Sequence, residues 1–557
     1  MRFQTAALLV VSLAAACSST QDSFPKGWGK VGTTRGYHDG PKIVFGPTGT
    51  GRYAEALLGA YDDQAAMTTV AFADRYYREP GNDGFEATID HLLGKLEDRG
   101  FGTQDGYELR VIETELSHPA WTPVRAALTL IFANSATQEL HQFCDGDDKD
   151  RTMLPANAPA ASVEGAIART LDELDAGEFL VTDRPLGSVL GEADKRGAAA
   201  VLSSYLMAFN HDPTGRDRHL DAIHYGGVAV GTTMPVAHIS PRTHALLTDG
   251  KLRNIAKLRF EAEVRLDERS LRTVVASIVG SDRPHEVVTL VAHVQEPGAN
   301  DNASGVGGML EAAITLQRAI EQGLVERPRR TIAFVWGDEM EASRIFLDHT
   351  EREPIVGISA DMIGQSLEET GAVCLLERGP DPGALTPLPP DEHTAWGAGK
   401  VNPDHIIPSG LALIARNALV DVGIVAGGWQ TREHPWEGGS DHDVFLARGI
   451  PAILIWHFTD FAYHTSLDRM SMVDPRELQL TAVSLLTTAC GVADARPEDM
   501  KRYVDGLNHE RYERQGAQVI EGAPEEVAEQ WGEWSSGARR WLAALCNGTP
   551  LPNTRAR

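Results

Sequence analysis

Val287-Val288-Thr289-Leu290-Val291-Ala292-His293, followed by Val294-Gln295-Glu296-Pro297 and then Gly298-Ala299-Asn300-Asp301-Asn302-Ala303-Ser304-Gly305-Val306, reads as strand, short loop and helix start. A short continuous apolar run bounded by turn residues is the pattern of a strand buried on both faces. The same texture continues outward. A helix begins at about Val306, then come Thr331-Ile332-Ala333-Phe334-Val335-Trp336 and Ile358-Ser359-Ala360. Strands and helices alternate in this way from Val274 to about Ala493, which predicts an α/β fold: a mixed, mostly parallel sheet sandwiched by helices.

Ligands bind at the carboxyl ends of strands in open α/β sheets. His293 closes the first strand and Asp301 opens the helix after it. Glu339 follows the next strand, Asp361 the one after, and His464 lies in Tyr463-His464-Thr465-Ser466 near the end of the sheet. Singly, each has a bland role: Asp301 as a helix cap, Asp361 as a turn former, His464 as a core histidine. Together, two imidazoles and several carboxylates at one sheet edge are costly to hold without cations. Zinc takes imidazole nitrogen and carboxylate oxygen, and a shared carboxylate lets two ions sit about 3.5–4 Å apart.

The chain has 557 residues, 42% of them hydrophobic, which predicts a folded multidomain protein. Lys and Arg number 51 and Asp and Glu 78, a net charge of −27, so a phosphate backbone would be repelled and no nucleic-acid partner is expected. Five cysteines are too few for a disulfide scaffold, and no C-x-x-C pair suggests a thiolate metal site. Cys144, Cys374, Cys490 and Cys546 could pair in an oxidising compartment.

At the N-terminus, the apolar run Ala6 to Ala16 is too short to span a bilayer and fits a signal-peptide core. Leu13-Ala14-Ala15-Ala16-Cys17, followed by Ser18-Ser19-Thr20, resembles a bacterial lipobox. Residues 1–17 are therefore expected to be a lipoprotein signal ending in an anchored Cys17, with the protein in the bacterial envelope, on the outer membrane or periplasmic side, or secreted. Membrane contact is expected only through that lipid. Residues 30–118 and 268–498 are assigned to one catalytic domain, 119–267 to a smaller inserted α/β domain, and 499–557 to a helical extension. Lys195 to Leu202 and Met234 to Ser240 are diffusely similar to the protease-associated domain inserted in many secreted peptidases. Trp531, Trp534 and Trp541 read as a docked helix face.

The motifs His293, Gly298 to Gly305, Asp361-Met362-Ile363-Gly364, Gly439-Ser440-Asp441-His442-Asp443 and Tyr463-His464-Thr465-Ser466-Leu467-Asp468 resemble the di-zinc aminopeptidase family, with its glutamate carboxypeptidase-like and glutaminyl cyclase-like members. The resemblance implies the zinc exopeptidase fold and two zinc ions, with His293 and Asp361 on one, Glu339 and His464 on the other, and Asp301 between them. Two departures stand out. The family's aspartate two residues after the first histidine is replaced by Gln295. Its two adjacent glutamates are replaced by Asp338-Glu339-Met340-Glu341. Glu339 is accordingly assigned to metal and Asp338 to proton transfer; a one-residue shift would make Glu339 the base and Glu341 a ligand. The function expected is a metallo-exopeptidase, aminopeptidase-like, acting on peptides. The alternatives are a non-catalytic metal-binding relative and a glutaminyl cyclase-like transferase.

Overall fold

The computed structural model describes residues 47–144, 150–248, 255–402 and 405–552. The stretch expected to be a lipoprotein signal, residues 1–17, lies outside the described residues. Eight strands form one large sheet in the order Tyr107–Glu115, Ser270–Ile278, Arg330–Gly337, Arg283–His293, Glu353–Ala360, Ala452–Phe458, Val373–Glu377 and Thr431–His434. The four central strands run parallel, and antiparallel pairings join the outer strands to them on either side. The sheet is mixed with a parallel centre, as its uninterrupted apolar runs predict.

No residue of Arg330–Gly337 is exposed, and Val287 to His293 is buried throughout, so helices must cover both faces. Ala303–Glu321 and Pro475–Ala493 pack against the central strands, with Asp63–Ala73 and Leu411–Val425 against those helices; Glu341–His349 and His442–Ala447 pack on the strands as well. Local chemistry sets the helix starts. The Asp474 carboxylate accepts from the N–H groups of Arg476 and Glu477 ahead of Pro475, whose missing N–H costs nothing there. Between Gly51 and Arg99 there are three helices: Ala54–Ala60, Asp63–Ala73 and Asp83–Asp98. Asp62 and Asn82 each cap the helix that follows, and those caps divide the run.

The chain leaves the large sheet after Glu115 and rejoins it at Ser270. Between these points it builds an antiparallel sheet ordered Thr137–Cys144, Ala120–Phe132, Ile255–Asp267, Ala161–Gly165, and a parallel one of Ile167–Ala168, Phe179–Thr182, Ala200–Ser203 and Val236–His238. These share an apolar core of their own, which includes Leu128, Phe179, Val201 and Phe260. At the other end of the chain, Met500–Glu521 and Glu525–Asn547 form a helical pair. Trp531 and Trp541 are buried in it and Trp534 is half-buried. Among the described residues no cysteine is paired, and no single helix is long and apolar enough to cross a membrane.

Candidate metal centre

The loop after His293 is built for close approach. A Cβ on Gly298 would stand 2.0 Å from Asp468 Oδ2, and one on Gly305 would stand 2.3 Å from Asn302 Oδ1 and 2.4 Å from the Ala360 carbonyl. Only glycine fits either place. Asn302 caps the helix by accepting from the Gly305 N–H (3.0 Å), and it also accepts from the Met362 N–H (3.0 Å) and donates to the Ala360 carbonyl (3.0 Å). One side chain thereby ties the Asp301 turn to the strand end that carries Asp361. Asp468 accepts from the N–H groups of Asn300 (2.8 Å) and Asp301 (2.9 Å), fixing the turn from the other side.

His293, Asp301, Glu339, Asp361 and His464 are thus brought to one edge of the sheet. His293 Nε2 lies 3.3 Å from Asp301 Oδ1 and 3.9 Å from Asp361 Oδ1. Possible ligand atoms of His293, Glu339 and Asp361 all lie within 4.8 Å of one another. The second such trio is His293, Glu296 and Asp301. His464 Nε2 is 2.9 Å from Glu296 Oε2 and 3.2 Å from Asp301 Oδ2, so the carboxylates at His464 are Asp301 and Glu296, while Glu339 stands with His293 and Asp361. Glu341 points away: its half-exposed carboxylate pairs with Arg344 at 2.9 Å.

Three further residues frame the cluster. Asp441 Oδ2 lies 3.8 Å from His293 Nδ1, and its Oδ1 accepts from the Met340 N–H (2.9 Å) and the Ser343 hydroxyl (2.7 Å). The Ser440 hydroxyl donates to Asp361 Oδ2 at 2.8 Å. Tyr463 stacks on the His464 ring with centroids 3.9 Å apart. Gln295 contacts the Tyr225 hydroxyl and the Glu296 carboxylate, both at 3.4 Å. Glu296 has no role in the family resemblance. Its three-residue distance from His293 was the available signal.

The electrostatics of the cluster are those of a cation site. Burial lifts the Glu296 carboxyl to about 7 and the Asp361 carboxyl to about 6, and pushes Glu339 well above the carboxylate range. Burial, reinforced by Asp441, lifts Asp338 to about 7. Asp301 is held low against its own burial by hydrogen bonds from His293 and His464. Both imidazoles are raised: burial opposes their charge, but Asp361 and Glu339 beside His293, and Glu296 and Asp301 beside His464, outweigh it. Asp361 Oδ1 and Asp441 Oδ2 are buried with no hydrogen-bond partner. A buried site holding more carboxylates than its two imidazoles can balance fits divalent cations, and the N/O donor set fits zinc.

Comparison with known proteins agrees with this reading. The sequence profile of Peptidase family M28 matches residues 273–374, which include His293, Asp301, Glu339 and Asp361. A probable lipoprotein aminopeptidase of Mycobacterium tuberculosis, LpqL, is 24% identical over 430 residues, 74% of this chain and 76% of its own. The structure of a Peptidase M28 precursor from Shewanella amazonensis superposes with a TM-score of 0.51 at 17% identity, covering 79% of this chain and 96% of that one. A zinc aminopeptidase from Bacillus subtilis gives 0.49 at 16% identity, covering 77% and 94%. Residues 273–374, the strands and loops that carry His293, Asp301, Glu339 and Asp361, are therefore similar to Peptidase family M28, and His464 lies beyond the matched stretch.

Proposed function

We propose that the chain is a zinc-dependent aminopeptidase, with two ions held by His293, Asp301, Glu339, Asp361 and His464, and Asp301 shared between them. The observation that carries this is the buried convergence of two imidazoles on Asp301, one 3.3 Å from Oδ1 and the other 3.2 Å from Oδ2. Each oxygen of one carboxylate faces a different histidine, which is the arrangement a bridging ligand needs.

Zinc bound there would polarise the peptide carbonyl and make a bound water acidic enough to attack near neutral pH. The chain's own residues do the rest. Asp338, buried near Asp441 and next in the chain to Glu339, is the group assigned to take a proton from the attacking water and return it to the leaving amine. Ser440 and Asn302 hold Asp361 and its strand end in place, and Tyr463 fixes the plane of the His464 ring by stacking.

The unit between Glu115 and Ser270, read as protease-associated-like, narrows access to this edge of the sheet: its Tyr225 ring stands edge-on to His464, with centroids 5.3 Å apart. The lipobox-like Leu13 to Cys17, together with the lipoprotein named among the relatives, supports an envelope protein anchored through Cys17.

The test is a panel of aminoacyl anilides and dipeptides, each offered with a free and with an acetylated amino terminus. Hydrolysis of the free-amine substrates alone supports an aminopeptidase. Cleavage of acetylated dipeptides next to a free carboxylate would reverse the direction. Cyclisation of N-terminal glutamine without hydrolysis would move the chain to the transferases.

A further inference from the structure

The two adjacent glutamates expected after the Arg330–Gly337 strand are reduced here to Glu339 alone, since Glu341 is turned outward onto Arg344. Glu339, which the family resemblance pairs with His464, stands with His293 and Asp361 instead, so an ion on the His464 side would need a carboxylate from a different loop. Glu296 is buried, and its Oε2 approaches His464 Nε2 to 2.9 Å. Its ligand atoms also fall within 4.8 Å of those of His293 and Asp301.

The loop is held so that this carboxylate faces inward. The fully buried Arg78 guanidinium donates to the carbonyls of Val294 (2.9 Å) and Gly298 (2.7 Å), the two ends of the turn. Its own carbonyl accepts from the Glu296 N–H at 3.0 Å. Glu296 adopts φ 82°, a backbone region that non-glycine residues avoid and that is retained mainly where surrounding contacts and function demand it. The neutral Gln295 beside it contacts the Glu296 carboxylate at 3.4 Å.

We propose that Glu296 is the carboxylate ligand that, with Asp301 and His464, completes the second metal position, taking the place beside His464 that the family resemblance gives to Glu339. This rests on the two-ion reading above. Elemental analysis and zinc titration of the metal-stripped full chain, as wild type, Glu296→Gln and Glu341→Gln, separate the two claims. Two ions on wild type and on Glu341→Gln, with one tight ion on Glu296→Gln and the other weakened at least about tenfold, support the assignment. The tight ion retained by the variant shows that it has folded. Two ions of wild-type affinity on Glu296→Gln would overturn the assignment and leave the two-ion reading standing, and so would loss of both ions from a variant with wild-type circular dichroism. Fewer than two ions on wild type would overturn the two-ion reading itself.

Discussion

The Tyr225 backbone N–H donates to the His464 carbonyl at 2.7 Å, so the segment between the two halves of the large sheet holds a candidate metal ligand in place. The grip is broad. Ser466 N–H donates to the Ile223 carbonyl (2.8 Å), Ile223 N–H donates to the Ser466 hydroxyl (3.1 Å), and the buried Asn210 amide donates to the carbonyls of Phe461 and Tyr463, both at 2.9 Å. His464 itself has φ 52°, a conformation that needs such external support.

Replacing Asn210 by Ala should therefore loosen the His464 side of the centre from a distance. Two buried carbonyls would lose their donor, at about 1–3 kcal/mol each. The expected result is a lower melting temperature and faster zinc loss to a competing chelator. Unchanged zinc retention alongside a lowered melting temperature would show that Asn210 supports the fold but not the site.

Gly298→Ala should be far more severe than its size suggests. The added methyl would meet Asp468 Oδ2 at 2.0 Å and the Asp301 carbonyl at 2.5 Å, so the turn carrying Asp301 must move. We expect loss of both zinc ions and of hydrolysis, with destabilisation of about 1–3 kcal/mol measured by urea unfolding. A variant that binds two ions normally would mean the turn is not rigidly set.

The segment between the half-sheets should also show a histidine-dependent acid sensitivity. Burial, with His224 alongside, holds His238 down at about 3, and burial holds His224 at about 4, against about 6.5 in an unfolded chain. Both groups are neutral when folded, so their contribution is complete above pH 6.5 and declines as pH falls toward the folded values, because only the unfolded chain takes up the protons. At pH 5 this costs about 2 kcal/mol at His238 relative to neutral pH. The stability of wild type relative to His238→Gln should fall by that order between pH 7.5 and pH 5, read by chemical denaturation of metal-free protein. A pH-independent difference would contradict it.

The C-terminal helical pair should depend on one buried cation. Arg514 reaches Asp391 at 2.6 Å and lies over the Trp531 ring at 4.6 Å. Burial opposes the Asp391 charge, but Arg378 and Arg514 hold its carboxyl down at about 2. Arg514→Met should cost about 3–5 kcal/mol and raise amide hydrogen exchange through Met500–Glu521 and Glu525–Asn547, leaving zinc content unchanged. Protection equal to wild type would show that apolar packing alone docks the pair.

The large sheet was legible because strands buried on both faces leave uninterrupted apolar runs such as Val287 to Ala292, with ligand-type residues just past their ends. The helix start after Asp301 was legible for the same local reason, although the residue that caps it is Asn302. What escaped the sequence was long-range. Nothing near Glu296 in the chain says that Arg78, more than two hundred residues earlier, will fold its loop inward onto His464. Nor does the spacing Asp338-Glu339-Met340-Glu341 reveal that Glu341 starts a helix facing Arg344 and the surface. The share of the work between Asp338, Glu339 and Glu296 is decided by packing between loops, to which sequence periodicity is blind.

The most direct test of the central claim is the zinc content of the purified chain, followed with its hydrolysis of a free-amine aminoacyl anilide through chelation and zinc restoration. The account predicts two zinc ions per chain, loss of turnover as they are removed and recovery when they are returned. Turnover that persists after complete metal removal, or a chain that binds no zinc, would contradict it.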